Sequence, residues 1–236
     1  MTTFDDLFAT AVPLIARGAH QRDEPPREGG RWPVSVVLRP PTDSDLAQHL
    51  DAVTAEAAEL AGPGHWQTGQ LGSAHLTVRA LEGYRATIAP DDPAIERYLS
   101  ALRRATAGPT RFRVTGLTLT PGSVMASAIP LDGAADAFLD RFATELGPDD
   151  WFERPHGRRD IWYLNLLHFT SDIPEPLKLI DWVSERRTTP IGEVEVEAPE
   201  LVHFCLQGGD RTHMRPIVRA PSHTAHGTLV PEPVRS

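Results

Sequence analysis

One succession of elements can be read twice along this chain, and each pass carries a histidine and a threonine flanking one apolar residue. Trp32 to Leu38 is β-branched and weakly alternating, a strand stopped by Pro40-Pro41. Asp45 to Leu60 repeats Leu46, Leu50, Val53, Ala57 and Leu60 at helical spacing, and Gly62-Pro63-Gly64 ends it. Leu71 to Leu81 is an apolar strand containing His75-Leu76-Thr77. A helix follows over Pro93 to Ala107, then two strands, Arg111 to Thr120 and Val124 to Ile129, around Pro121-Gly122. From that hairpin's second arm the order recurs. A helix spans Asp132 to Leu146, a strand over Ile161 to Thr170 contains His168-Phe169-Thr170, and a helix spans Glu175 to Arg187. Ile191 to Glu197 and Leu201 to Gln207 read as a last hairpin. The unit is strand, helix, motif strand, helix, strand, repeated once, with the motif on the same strand each time.

Residues two apart on a strand share a face. Each motif strand therefore presents one imidazole and one hydroxyl together. Two such strands side by side would place two acid/base groups and two hydroxyl donors around one small anion, the equipment for cleaving a phosphodiester without a metal. The pattern alone is unspecific in a chain with 10 His. A third copy, His226-Gly227-Thr228, lies in a Pro-rich stretch with no strand pattern and reads as chance.

The stretch Ala74-His75-Leu76-Thr77-Val78-Arg79-Ala80-Leu81, with Leu167-His168-Phe169-Thr170, resembles the paired motifs of the two-histidine (2H) phosphoesterase superfamily. That superfamily includes bacterial 2′-5′ RNA ligase-like proteins and RNA 2′,3′-cyclic phosphodiesterases. The resemblance implies an α+β, bilobed, internally duplicated fold, with two antiparallel sheets flanked by helices and a central cleft. It implies His75 and His168 as catalytic acid and base, either in either role, with Thr77 and Thr170 on the phosphate. The implied substrate is an RNA 3′ end or small nucleotide bearing a 2′,3′-cyclic phosphate, with 2′-5′ ligation as the reverse reaction. No cofactor and no metal are expected. The resemblance spans residues 31–207. Ser171 departs from it, standing where the family has an apolar residue.

Residues 1–30 read as an extension, a short helix with Phe4, Leu7, Phe8 and Val12, then a charged Pro/Gly loop. Residues 208–236 read as a Pro-rich tail, extended or disordered. A net charge of −9 argues against a duplex-DNA or long-RNA binder. No run approaches the ~20 apolar residues of a membrane span, and residues 1–6 lack the pattern of a signal peptide. A cytoplasmic monomer is the expectation. A single cysteine, Cys205, excludes an internal disulfide.

Arg79 shares the period-2 face of His75 and Thr77, so it is a candidate substrate contact. Arg158 and Arg159, in the basic loop before the second motif strand, are two more. Trp66, Tyr84, Trp162 and Tyr163 are candidates for stacking on a base, with core packing the commoner use. His203, His213, His223 and His226 fit no metal-site spacing. Two further readings compete: a non-catalytic nucleotide or RNA-end binding module, and an unrelated α+β protein whose motifs are coincidence.

Overall fold

The computed structural model describes residues 3–157 and 161–221. Arg158, Arg159, His223 and His226 lie outside them. Within them, the strands β1 (Val34–Leu38), β2 (Leu76–Glu82), β3 (Thr110–Thr120), β4 (Ser123–Pro130), β5 (Trp162–His168), β6 (Pro190–Val196), β7 (Glu200–Gln207) and β8 (His213–Pro221) form one antiparallel sheet. Its order is β6-β3-β4-β5-β2-β1-β7-β8. The two motif strands meet at the centre through one residue pair, Leu76 opposite Leu164. The sheet is therefore two four-stranded halves joined at a seam, the α+β, duplicated arrangement expected from the sequence.

The helices are α1 (Thr3–Ala16), α2 (Asp45–Ala61), α3 (Pro93–Ala105), α4 (Ala134–Leu146) and α5 (Pro176–Glu185). Local signals set their ends. The Ser44 hydroxyl accepts from the Ala47 amide at 3.2 Å, and the Asp92 carboxylate accepts from the Ala94 amide at 2.9 Å just before Pro93. Gly62, at φ 89°, closes α2 by donating to the Ala58 carbonyl at 3.0 Å. The apolar faces of α2 (Leu46, Leu50, Val53, Ala57) and α4 (Phe138, Leu139, Phe142) enter a core that runs through both halves.

Two expectations are corrected. β6 and β7 are not a hairpin: β6 pairs with β3 at one sheet edge and β7 pairs with β1 in the other half. Only residues 197–199 join them, so the sheet curls until those strand ends lie within about 14 Å. Second, the tail reading began too early. Residues 213–221 form β8, which pairs with β7 along its whole length and buries Met214. Pro216 hid this strand, because proline reads as a breaker although an edge strand tolerates it.

Both motif strands are bulged. In β2, Thr77 opposes Val37 but Arg79 already opposes Val36, so Val78 is an extra residue. In β5, Asn165 opposes Met125 and Leu167 opposes Val124, leaving Leu166 extra. Each bulge switches which side chains face the core.

The segment between α1 and β1 is a strap tied to both halves. The Gln21 and Asp23 amides donate to the Pro121 and Phe169 carbonyls, each at 2.7 Å. Further on, the Gly29 amide donates to Tyr84 O at 2.8 Å, and the Tyr84 amide returns a bond to Gly30 O at 2.9 Å. The strap passes so close to Gly83 that a Cβ there would overlap the Gly29 carbonyl. Gly83→Ala is expected to lift the strap and cost about 1–3 kcal/mol of stability. A thermal melt matching wild type would show that the strap is not packed this way.

Candidate active site

His75 and His168 lie on either side of the seam. β2 and β5 run antiparallel, so the start of one and the end of the other come to the same end of the sheet. Leu76 and Phe169 enter the main core, which leaves the flanking histidines and threonines on the opposite face. There a second, smaller cluster forms from Trp32, Val37, Trp66, Tyr84, Val202, Phe204 and Met214. His75 packs on Phe204 at 5.1 Å between ring centroids, Phe204 on Trp32 at 5.6 Å, and Trp32 edge-on against His168 at 4.8 Å. The two imidazoles are thus the ends of one aromatic row.

Their surroundings differ. His75 Nδ1 is 2.7 Å from the Ser73 carbonyl, which fixes the proton on Nδ1 and leaves Nε2 with its lone pair. Burial lowers its pKa to about 4, opposed by the Ser73 bond and aided by His168 and Arg39. His168 is 2 % exposed, and its Nδ1 stands 2.9 Å from Asp23 Oδ2 on the strap. Burial lowers the His168 pKa, the Asp23 carboxylate opposes that fall, and Arg31 adds to it. Arg31 is ion-paired with Asp23 and reaches His168 Nδ1 at a longer 3.4 Å. The tautomer follows from these contacts. Asp23 Oδ2 is buried and makes no hydrogen bond of full geometry, and His168 Nδ1 at 2.9 Å is its ion-pair contact, so a proton on Nδ1 is what would satisfy it. Nδ1–H therefore belongs to Asp23. His168 Nε2 and the Trp32 indole N–H are both buried without a partner among the described residues. Trp32 itself sits at φ 74°, a conformation costly for a bulky side chain.

The threonines also differ. Thr77 is half-buried and its hydroxyl makes no hydrogen bond among the described residues. The Thr170 hydroxyl donates to the Gly64 carbonyl, and its amide donates to His65 Nδ1 at 3.2 Å. His65 Nε2–H in turn donates to the Ala61 carbonyl at 3.1 Å, and burial lowers the pKa of this imidazole.

Arg79 does not join this group. The Val78 bulge turns it to the other face, where it is buried against Asp150 at 2.6 Å and Glu153 at 3.6 Å. The even alternation that placed it beside His75 fails at the extra residue. Trp66 and Tyr84 belong to the site cluster. Trp162 packs on Phe112 in the main core at 5.2 Å, and Tyr163 opposes Ser127 on β5. His203 and His213 lie on β7 and β8. The residues that sequence reading missed are Asp23 and Arg31, from a loop with no periodicity, Trp32, read only as the first residue of a strand that begins at Val34, and Phe204, from a strand assigned to a hairpin elsewhere.

No family model matches the chain, and no curated protein does. Solved structures do. E. coli LigT in complex with 3′-AMP superposes with a TM-score of 0.54 at 14 % identity, covering 82 % of this chain and 96 % of that one. The chain has the LigT fold. A phosphoesterase structure gives a TM-score of 0.53 at 14 % identity over 82 % of this chain and 96 % of its own. The Thermus thermophilus protein TT0787 gives 0.50 at 20 % identity, covering 80 % of this chain and 95 % of its own.

Proposed function

We propose that this protein is a phosphodiesterase that opens a 2′,3′-cyclic phosphate on an RNA 3′ end or a small nucleotide by two-histidine general acid–base catalysis. The observation that carries this reading is the placement of His75 and His168 at one end of two adjoining strands, either side of the seam, against one aromatic cluster. One imidazole takes a proton from water as the water oxygen bonds phosphorus. The other gives a proton to the ribose 3′ oxygen as its bond to phosphorus breaks, leaving a 2′-phosphate. Run backwards, the same steps support 2′-5′ ligation. The free Thr77 hydroxyl suits a non-bridging oxygen that gains charge in the transition state. Thr170 does the same only by leaving Gly64. The 3′-AMP held by E. coli LigT is a ligand of the class this reading requires.

Substrate entry requires Trp32 or its neighbours to give way, since His168 Nε2 is shielded. That shielding is the one observation favouring a non-catalytic nucleotide-binding module, the second reading. The test is turnover of a short RNA ending in a 2′,3′-cyclic phosphate, with EDTA present, beside His75→Ala and His168→Ala. Wild-type turnover lost in both variants supports the enzyme. Nucleotide binding without turnover in wild type favours the module.

A further inference from the structure

Resting on the phosphodiesterase reading, we infer that Asp23 is a positioning residue that makes His168 the general acid and leaves His75 as the general base. The duplicated strands alone do not distinguish the histidines. The strap does, because it belongs to one half of the duplication and has no counterpart in the other.

Three observations carry the assignment. The Asp23 side chain is 2 % exposed, and its Oδ2 is 2.9 Å from His168 Nδ1. A buried carboxylate there favours the imidazolium over the neutral ring. His75 has only the neutral Ser73 carbonyl on its Nδ1, and Arg39 near it disfavours a second positive charge. When one proton is shared between two histidines in these settings, it resides on His168. Finally, Asp23 and Ser73 each hold an Nδ1 proton, so both Nε2 atoms are left for the reaction. In the forward step His75 Nε2 accepts the proton of water while the oxygen–phosphorus bond forms. His168 Nε2 donates to the departing 3′ oxygen, and the cycle closes when the proton returns from His75 to His168 through solvent. The charged groups facing the pair are Asp23 and Arg31 at His168, and Arg39 at His75, with each histidine facing the other.

The experiment pairs pH–rate profiles with imidazole 15N NMR titrations of wild type, Asp23→Asn and Asp23→Glu. The rate should rise as His75 loses its proton and fall as His168 does, giving an optimum below pH 6.5. In Asp23→Asn the falling limb should move to lower pH while the rising limb stays, and kcat should drop by up to about 10⁴-fold, as when the carboxylate that orients a catalytic imidazole is made an amide. Asp23→Glu, which restores the carboxylate, should recover part of both. The NMR titration should show His168 protonating before His75 as pH is lowered. If His75 protonates first, or if Asp23→Asn moves the rising limb instead, the assignment is overturned with the phosphodiesterase reading intact. If Asp23→Asn lowers only the melting temperature, Asp23 is structural. If wild type turns over no cyclic phosphate although His168 protonates first, the phosphodiesterase reading falls and the catalytic assignment with it.

Discussion

On the proposed phosphodiesterase reading, His75→Gln is expected to lower kcat/KM on a 2′,3′-cyclic phosphate by about 10²–10⁴-fold, the usual contribution of one acid or base group, and to leave the protein folded at pH 7. It also makes the fold more resistant to acid. The folded-state pKa of His75 is about 4, below the 6.5 of the free side chain. The unfolded chain therefore binds the extra proton first as pH falls. The stability His75 confers is fully present above pH 6.5 and is lost as pH falls from 6.5 towards 4. The loss is at most about 3 kcal/mol, since one unit is worth about 1.4 kcal/mol and the residue is only partly buried. Glutamine has no proton to bind in that window. Melting temperatures of wild type and His75→Gln, compared at pH 7 and pH 4.5, should diverge only at the lower pH. Equal slopes would show that this imidazole is not held neutral by burial.

Arg79→Ala should have the largest effect on stability. It removes the cation from a buried pair, taking from Asp150 its nearest partner and from Glu153 a positive charge 3.6 Å away. Breaking a buried pair by removing one side costs about 3–5 kcal/mol. The exposed Arg154, 3.9 Å from Asp150, offsets part of this and points to the lower end. For a chain of this size that corresponds to a melting temperature lower by about 6–12 °C. Arg79→Met combined with Asp150→Asn should recover part of the loss, because Asp150 is then no longer a buried unpaired charge, while Glu153 still lacks its cation. Turnover by the folded fraction of Arg79→Ala, measured well below its melting temperature, should stay within a few-fold of wild type. A collapse of kcat in a fully folded Arg79→Ala would return this residue to the substrate side.

The elements were legible where periodicity was clean. α2 and α4 follow from apolar spacing and end signals, and the motif strands follow from apolar runs between glycine and proline clusters. Sequence could not supply the pairing of distant strands. Nothing local indicates that β7 belongs beside β1, or that a strand containing Pro216 completes that half. Alternation carried His75 and Thr77 to one face correctly and then misplaced Arg79 two residues later. A bulge is one extra residue that only the partner strand reveals. The strap is the extreme case. Asp23 lies 145 residues before His168 with only loop chemistry around it, so its contact is a product of tertiary packing alone.

The seam has a mechanical consequence. Between β2 and β5 the ladder has one pair, Leu76 opposite Leu164, and the segment before β2 adds three backbone bonds, two between Trp66 and His168 and one from Gly69 to Leu166, so rotation of one half against the other works on these few bonds beside the second motif. The histidines sit on opposite sides of that axis. A few degrees of rotation would change the span between their reactive nitrogens, and the strap, pinned at Phe169 and at Tyr84, would be stretched or slackened by the same motion. The protein is built like a caliper whose jaws are the two imidazoles and whose stop is the segment carrying Asp23 and Trp32. Cutting the chain within that segment should therefore alter the spacing of the jaws as well as the charge on one of them.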